Sequence, residues 1–276
     1  MELIHAPLRA VFDAILAPFA GRSPMLTLVP ISAVVGVLAL LLFKWTSNQK
    51  ALEAARRRQL AGFFEIRLFN DDLRNLLGAQ GRILRATGRY FLHTLVPLVA
   101  LLPPLFLLVA QLQFHYGYEG LRPGDTTLLQ VRLDEATASA DGKPAVTLNA
   151  PSGAEVETPA VWIPTERKLV WRLRAVEPGE HTLELAVGGA SYTKSLTVSN
   201  QVVRRSPVRP GASLGAQLLY PAEAPLAKGG PVTSIELRYP DAEVNLLGWH
   251  THWLIAFFIL TVVAALLLKK PLGVTI

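Results

Sequence analysis

Three long stretches of this chain carry no Asp, Glu, Lys or Arg, and they restrict its fold more than any other feature. The stretches cover residues 25–43, 90–114 and 250–268. About 20 apolar residues in a helix cross a hydrocarbon core of roughly 30 Å, so each stretch is long enough to be a transmembrane helix. The flanking residues Lys44, Trp45, Trp249 and Lys269 are of the types that mark the headgroup level. Three helices buried in a large soluble core are the less favoured alternative.

The composition agrees with a membrane protein. Only 17% of the residues are charged, against about 25% in soluble proteins, and the high hydrophobic content excludes disorder as the main state. The chain has no cysteine, which excludes a disulfide framework, a thiolate nucleophile and Cys-ligated zinc. The net charge of +6 would indicate a nucleic-acid partner only if the basic residues clustered on a folded soluble face. They do not, so no DNA partner is expected.

The distribution of the cations predicts the orientation in the membrane. Residues 44–89 carry ten Lys and Arg against four Asp and Glu, whereas residues 115–249 carry thirteen against fifteen. Short basic loops stay in the cytoplasm. We therefore expect a multi-pass protein of the bacterial inner membrane, with residues 1–24 and 115–249 outside and residues 44–89 and 269–276 inside. A cleaved signal peptide is less favoured, because the first apolar stretch is long and ends in a Lys-Trp pair.

The two shorter polar segments are predicted to be helical. Apolar residues at helical spacing predict an amphipathic helix over residues 1–20, lying along the outer membrane interface or packed on the β domain of the chain itself. Residues 44–89 are predicted to form a basic helical hairpin with a break at 61–70, whose second helix continues into the second stretch. Three consecutive arginines of this hairpin are candidates for contact with anionic lipid, ribosomal RNA or acidic proteins, or else they only determine topology: Arg56, Arg57 and Arg58.

Residues 115–249 change to the alternation of apolar and polar residues that is typical of strands. Turn signals separate several short alternating runs, and this pattern predicts an antiparallel β-sandwich. The run PGEHTLELAVGGASYTKSLTV resembles the last hairpin of immunoglobulin-like domains, and Trp171 is expected in the core. Further strands are predicted over residues 216–220 and 233–239. The predicted fold class is therefore three transmembrane helices plus an all-β immunoglobulin-like domain.

No catalytic motif or metal-ligand cluster is found, so neither an enzyme nor a cofactor is expected. His250 and His252 form an i, i+2 pair, which on a helix would point the two rings apart. An interface role beside Trp249 is therefore favoured over metal binding. A transporter is also disfavoured, because no charged relay lies within the three stretches.

The order of the segments resembles the YidC/Oxa insertase superfamily. Its members have an outer amphipathic helix, an outside-to-inside span, a basic cytoplasmic hairpin, an inside-to-outside span and at least one further span. The arrangement here is most similar to the smaller, three-span members. Two features depart from the family pattern: residues 25–43 contain no arginine, and the β domain lies between the second and third spans.

The resemblance implies a protein that helps other membrane proteins to insert or assemble, without covalent chemistry. It implies a polar groove that receives the hydrophilic flank of a client, with the lipid bilayer and a nascent membrane protein or ribosome as partners. The candidate groove or client-contact residues are Thr27, Ser32, Arg85, Arg89, His93 and Thr94. The alternative is a membrane-anchored scaffold protein whose periplasmic β domain binds an envelope protein.

Overall fold

The computed structural model describes residues 2–19, 21–47, 53–54, 57, 60–61, 73–138 and 144–274. The chain forms two compact units. The first consists of Met1–Thr27 and Leu107–Leu254, and the second consists of Leu28–Phe106 and Ile255–Ile276. Every β-strand of the described residues belongs to the first unit, and the elements described in the second unit are helices.

Six α-helices have defined bounds among the described residues, together with two short 3-10 turns. The helices are α1 (Glu2–Leu16), α2 (Pro24–Thr46), α3 (Leu73–Tyr116), α4 (Glu135–Ala138), α5 (Leu214–Leu219) and α6 (Trp253–Leu268), and the 3-10 turns are Ala17–Phe19 and Pro164–Glu166. The predicted N-terminal helix is present as α1, which contains Pro7. The helix α3 is continuous from the connector into the second apolar stretch, as the sequence predicts.

Two of the helices are long and apolar enough to cross a membrane, as judged by length and composition. They are α2 and the part of α3 over Ile83–Tyr116. The helix α6 is equally apolar but has only 16 residues. It begins at Trp253, so the prediction of a helix from residue 250 is wrong for the first three residues, which belong to a strand instead.

The strands form two antiparallel sheets and a separate hairpin. Their bounds are β1 Thr126–Leu133, β2 Val146–Asn149, β3 Ala154–Val156, β4 Val161–Ile163, β5 Lys168–Ala175, β6 Gly179–Val187, β7 Ala190–Val198, β8 Val208–Arg209, β9 Val232–Leu237, β10 Glu243–Leu246 and β11 Trp249–His252. One sheet has the order β3-β5-β1-β9-β8, with β4 also paired to β5, and the other has the order β2-β6-β7. The strands β10 and β11 pair with each other.

One hydrophobic core joins the two sheets. Alternate residues of β1 and β5, such as Leu129 opposite Trp171, face the same core as Leu185 of β6 and Leu196 of β7. Trp171 is 4% exposed, which confirms its predicted place in the core. This alternation follows from the pleat of a strand, because successive side chains point to opposite faces. The predicted β domain is present, with its two sheets covering each other.

One local prediction is wrong. Residues 216–220 were expected to form a strand, but Leu214–Leu219 form a helix whose N-cap Ser213 accepts a hydrogen bond from the Ala216 N–H. Near the end of α3, Phe114 and Tyr116 are buried inside the first unit, at 1% and 3% exposure.

Candidate functional site

The ends of three helices meet within the first unit, at a polar cluster that we call the helix junction. It consists of Thr27, Gln113, Tyr116 and Trp253. The Tyr116 hydroxyl donates to Thr27 Oγ1 at 2.7 Å, and Trp253 Nε1 donates to Gln113 Oε1 at 2.8 Å. The rings of Tyr116 and Trp253 stack with centroids 6.1 Å apart. Since α2 and α6 begin at the helix junction and α3 ends there, α3 runs toward this cluster while α2 and α6 run away from it.

The helix α1 is attached to the rest of the first unit through its polar side. The Asp13 carboxylate lies 3.2 Å from His115 Nε2 and 3.2 Å from the Arg204 guanidinium, and Arg9 donates to the Pro221 carbonyl at 2.8 Å. Partial burial opposes the ionisation of Asp13, but the His115 hydrogen bond and the Arg204 charge outweigh it and lower the pKa of this carboxyl. Arg9 and Asp13, the two charged side chains in the body of α1, are therefore both held by contacts with the first unit.

The opposite face of α1 is apolar and exposed. Val11 and Ile15 are 52% and 51% exposed, and the other exposed residues on this face carry no charge: Ala6, Pro7, Ala10 and Ala14. A helix on the surface of a soluble protein shows the reverse arrangement, with its charged face in water. The polarity of α1 is that of a helix whose outer side meets an apolar medium.

A cavity of about 440 Å³ lies beside the helix junction, entirely within the first unit, and Tyr118, Glu119, Arg205 and Asp241 are among its lining residues. Arg205 is only 3% exposed and donates to the carbonyls of Ser199, Gln201 and Val203. The cavity combines one buried cation with carboxylates at its rim. Such a set can bind polar or charged groups.

A second buried polar cluster lies at the edge of the β domain, and we call it the Lys194 network. Lys194 is 0% exposed, and its ammonium donates to Glu223 Oε2 at 2.6 Å, to the Ser206 carbonyl at 2.6 Å and to Ser206 Oγ at 2.9 Å. Ser206 Oγ in turn donates to Glu223 Oε2 at 2.8 Å, and the Ser195 N–H donates to Glu223 Oε1 at 3.1 Å.

Burial and mutual attraction act in opposite directions on the pKa values of Lys194 and Glu223. Burial lowers the pKa of Lys194, and the nearby Glu223 carboxylate counteracts that effect. For Glu223, burial raises the pKa, but the Lys194 charge and the hydrogen bonds from Ser206 and Ser195 outweigh it and hold the pKa below its usual range. Lys194 Nζ contacts Glu223 and both oxygens of Ser206 at the same time. The network therefore ties β7 to the two segments that carry Ser206 and Glu223.

In the second unit, α2 and α6 approach each other closely at Gly36. We call the small residues around this approach the α2–α6 seam; they are Gly36, with Ser32 one turn before it on α2, and Thr261 and Ala264 on α6. A Cβ placed on Gly36 would lie 3.0 Å from the Thr261 carbonyl and 3.3 Å from the Ala264 Cβ. Nearer the other end of both helices, Lys44 donates to the Leu272 carbonyl at 2.7 Å. Small residues allow this close approach, as in helix pairs of membrane proteins. The buried hydroxyls of Ser32 and Thr261 have no hydrogen-bond partner.

The predicted groove residues occupy different environments. Thr27 lies in the helix junction and Ser32 in the α2–α6 seam, whereas Arg85 and Arg89 are exposed on α3. Thr94 is half-buried and donates to the Tyr90 carbonyl at 2.9 Å. The His93 side chain is outside the described part of the structure, as are Arg56 and Arg58. Arg57 is exposed and pairs with Glu53 at 2.6 Å.

The central part of α3 has a broad exposed apolar face. The exposed side chains lie on one side of the helix and include Phe91, Leu92, Leu95, Val96, Leu98, Val99, Leu102 and Phe106. Thr94 and the buried Pro97 lie on the other side. An apolar face of this size on a single helix suits contact with lipid or with an apolar helix of another protein.

Comparisons with known proteins add no relative. The chain matches no protein-family model, no curated protein and no solved structure. Among the described residues, no group of three or more His, Cys, Asp or Glu side chains could hold a metal ion.

Sequence reasoning missed both Arg205 and the Lys194 network. The sequence did contain a signal for Lys194. In β7, Lys194 alternates with Leu196 and Val198 on the same face of the strand, and these two residues face the core. Nothing comparable marked Arg205, which lies in an irregular segment between β7 and β8.

Proposed function

We propose that the chain is a three-span protein of the bacterial inner membrane, with α2, α3 and α6 as its spans and an immunoglobulin-like β domain on the outer side. The observation that supports this most directly is the helix junction, where α2 begins, α3 ends and α6 begins beside the β domain. Alternating directions are what three successive spans require. The basic connector, residues 44–89, then lies in the cytoplasm.

The helix α1 fits the same arrangement. Its charged side is bound by the first unit, and its apolar side, with Val11 and Ile15, is free to face the outer lipid interface. The length of α3 fits as well. Its 44 residues extend over about 66 Å at roughly 1.5 Å per residue, about twice the thickness of a hydrocarbon core. The part of α3 that exceeds the core thickness places Arg85 and Arg89 near or beyond the cytoplasmic surface.

Within this arrangement, we propose an insertase-like activity that assists the insertion or assembly of membrane proteins. The observation that carries it is the α2–α6 seam, where the Ser32 and Thr261 hydroxyls are buried without partners inside two apolar helices. A hydroxyl without a partner in an apolar medium is costly. Parting of α2 and α6 would offer both hydroxyls to the polar flank of a client while its apolar segment moves along the exposed face of α3. No covalent step is needed.

A second candidate function is that of a membrane-anchored interaction protein. The cavity of about 440 Å³ beside Arg205 favours it, because a buried cation with rim carboxylates suits a polar segment of an envelope protein. On this proposal the spans only anchor or assemble the chain.

Photo-crosslinking separates the two candidates. A photoreactive amino acid is placed at Ser32 or Thr94, and controls carry it at Val34 on α2 and Val262 on α6, which are 58% and 52% exposed and lie off the proposed client path. Ribosomes bearing a stalled single-span membrane protein are then added to membranes that contain each variant. The insertase proposal predicts crosslinks to the nascent chain that are severalfold stronger at Ser32 and Thr94 than at the controls.

Equal or absent crosslinking at all four positions, in variants that keep normal membrane levels, would contradict the insertase proposal and favour the anchor. Crosslinking at Thr94 without Ser32 would still support client contact, because Ser32 is fully buried and tolerates a bulky replacement poorly.

A further inference from the structure

The hairpin β10–β11 ends in an exposed apolar tip. Leu246 pairs with Trp249, which leaves a two-residue loop of Leu247 and Gly248. Leu247 is 100% exposed and Trp249 is 54% exposed. The base of the hairpin, in contrast, is packed, because Val244 and Thr251 are 3% and 7% exposed. The tip is thus a firmly held projection whose apolar side chains add nothing to the core of the first unit.

The identity of residue 247 is unusual for its backbone conformation. Leu247 has φ +54° and Gly248 has φ +93°, and positive values at both loop residues are those of a type I′ turn. Asn, Asp and Gly are the residues that this turn prefers, and Asn245 already closes it by accepting a hydrogen bond from the Gly248 N–H at 2.7 Å. A leucine here is strained and fully exposed, a combination that folding of the hairpin does not explain.

The charge pattern connects the tip with the following helix. The 25 residues from 244 to 268 contain no Asp, Glu, Lys or Arg, so the uncharged run begins in the hairpin and continues through α6. If the tip bound a soluble partner, the uncharged run would not have to continue from the hairpin into α6. Trp249 is of a residue type that is enriched at the membrane–water interface.

The dimensions of α6 indicate which surface the tip meets. Its 16 residues extend over about 24 Å at roughly 1.5 Å per residue, which is about 6 Å less than a hydrocarbon core of roughly 30 Å. The strand β11 leads directly into Trp253, and its four residues reach about 13 Å at roughly 3.3 Å each. The headgroup layer at the start of α6 is therefore within reach of the tip.

We propose that the β10–β11 tip inserts Leu247 and Trp249 into the headgroup layer of the lipid bilayer, beside the point where α6 enters it. The partner is the lipid surface itself. The hairpin thus compensates for the short apolar length of α6 and fixes the first unit against the membrane. This inference rests on the proposed membrane span of α6.

Spin labelling tests the proposal, since the chain has no native cysteine to remove. The full chain is reconstituted in phosphatidylethanolamine–phosphatidylglycerol vesicles with a nitroxide on Cys introduced at Leu247, at Lys228 or at Val262. Lys228 is an exposed residue of the β domain, and Val262 is 52% exposed on α6. Power saturation compares collisions with oxygen, which is concentrated in lipid, and with a water-soluble nickel complex.

The proposal predicts an oxygen-to-nickel ratio at position 247 severalfold above that at position 228 and below that at position 262. A ratio at 247 equal to that at 228, with a high ratio at 262, would overturn the proposed tip and leave the span intact. A low ratio at 262 would instead refute the span itself, and with it the proposed function.

A second pair of variants reports on the tip without a label at residue 247. In both variants Trp249→Cys carries the nitroxide. One variant keeps Leu247, and the other also has the substitution Leu247→Asn. Asn suits the positive φ, so the fold is expected to be at least as stable, while the oxygen-to-nickel ratio at position 249 falls severalfold. An unchanged ratio would contradict lipid insertion by Leu247.

Discussion

Replacing Gly120 by Ala is expected to destabilise the first unit by about 3 kcal/mol or more, because the added methyl group has no space and the buried Arg205 loses partners. A Cβ at Gly120 would lie 1.7 Å from the Ser199 carbonyl oxygen and 2.7 Å from Arg205 Nη2. The first of these atoms belongs to the backbone, so the segment must move. This carbonyl and that of Gln201 accept hydrogen bonds from Arg205 at 2.8 Å and 2.7 Å. The measurement is the denaturant midpoint of the full chain in detergent, followed by near-ultraviolet circular dichroism.

Gly215→Ala is the matched control for this prediction. Gly215 lies in α5, where no atom falls within 4 Å of an added Cβ. Alanine there is expected to leave the midpoint unchanged or to raise it slightly, because it restricts the unfolded chain. A Gly120→Ala variant as stable as the control would show that the tight packing of Gly120 on the 199–205 segment is not what holds Arg205.

Replacing Glu223 by Gln is expected to cost about 3–5 kcal/mol, because it leaves the buried Lys194 ammonium without its counter-charge. Gln has nearly the same shape as Glu, so the loss would come from charge and not from a cavity. Lys194 is 0% exposed and cannot turn to water without opening the Ser206 contacts. The unfolding free energy of the full chain in detergent measures the effect.

Two further variants test whether charge pairing is the cause. The double variant Lys194→Met, Glu223→Gln is expected to recover much of the loss, since no buried charge is left unpaired. Arg167→Gln breaks the solvent-exposed pair with Glu135, whose side chains are 48% and 86% exposed, and is expected to change stability by less than about 1 kcal/mol. If the double variant is as unstable as Glu223→Gln alone, the loss of stability does not come from an unpaired buried charge.

The same network predicts an acid dependence. The folded state lowers the pKa of Glu223, so its contribution to stability is complete above the unfolded pKa and is lost as the pH falls through the folded pKa. The Glu223→Gln variant lacks this titration, and its stability should therefore decline less steeply in acid than that of the wild-type chain.

The secondary structure was predictable where one physical pattern dominates. The strands β1, β5 and β6 were identified because alternate residues face a single core, and α2 because a long uncharged run favours a helix. Residues 216–220 were misassigned because a short apolar run does not distinguish strand from helix. The N-cap at Ser213 was the available signal for a helix, and the apolar pattern concealed it.

The polar clusters were harder to predict, because they depend on contacts between distant parts of the chain. Thr27 was selected as a groove residue, yet it bonds to Tyr116, which lies 89 positions later. Arg205 satisfies its guanidinium with backbone carbonyls, and side-chain patterns do not reveal such partners. Apolar periodicity indicates which face of an element is buried, whereas the pairing of buried polar groups follows only from the tertiary structure.

Labelling of single cysteines in intact bacterial spheroplasts tests the proposed topology directly. Cysteine replaces Glu166 in the β domain, Arg57 in the connector or Lys270 after α6, and a maleimide that cannot cross membranes is added. We expect labelling at position 166 in intact cells, and at positions 57 and 270 only after the membrane is permeabilised. If positions 57 and 270 are labelled in intact spheroplasts and position 166 is protected, the orientation is the reverse of the proposed one and the proposed topology is wrong.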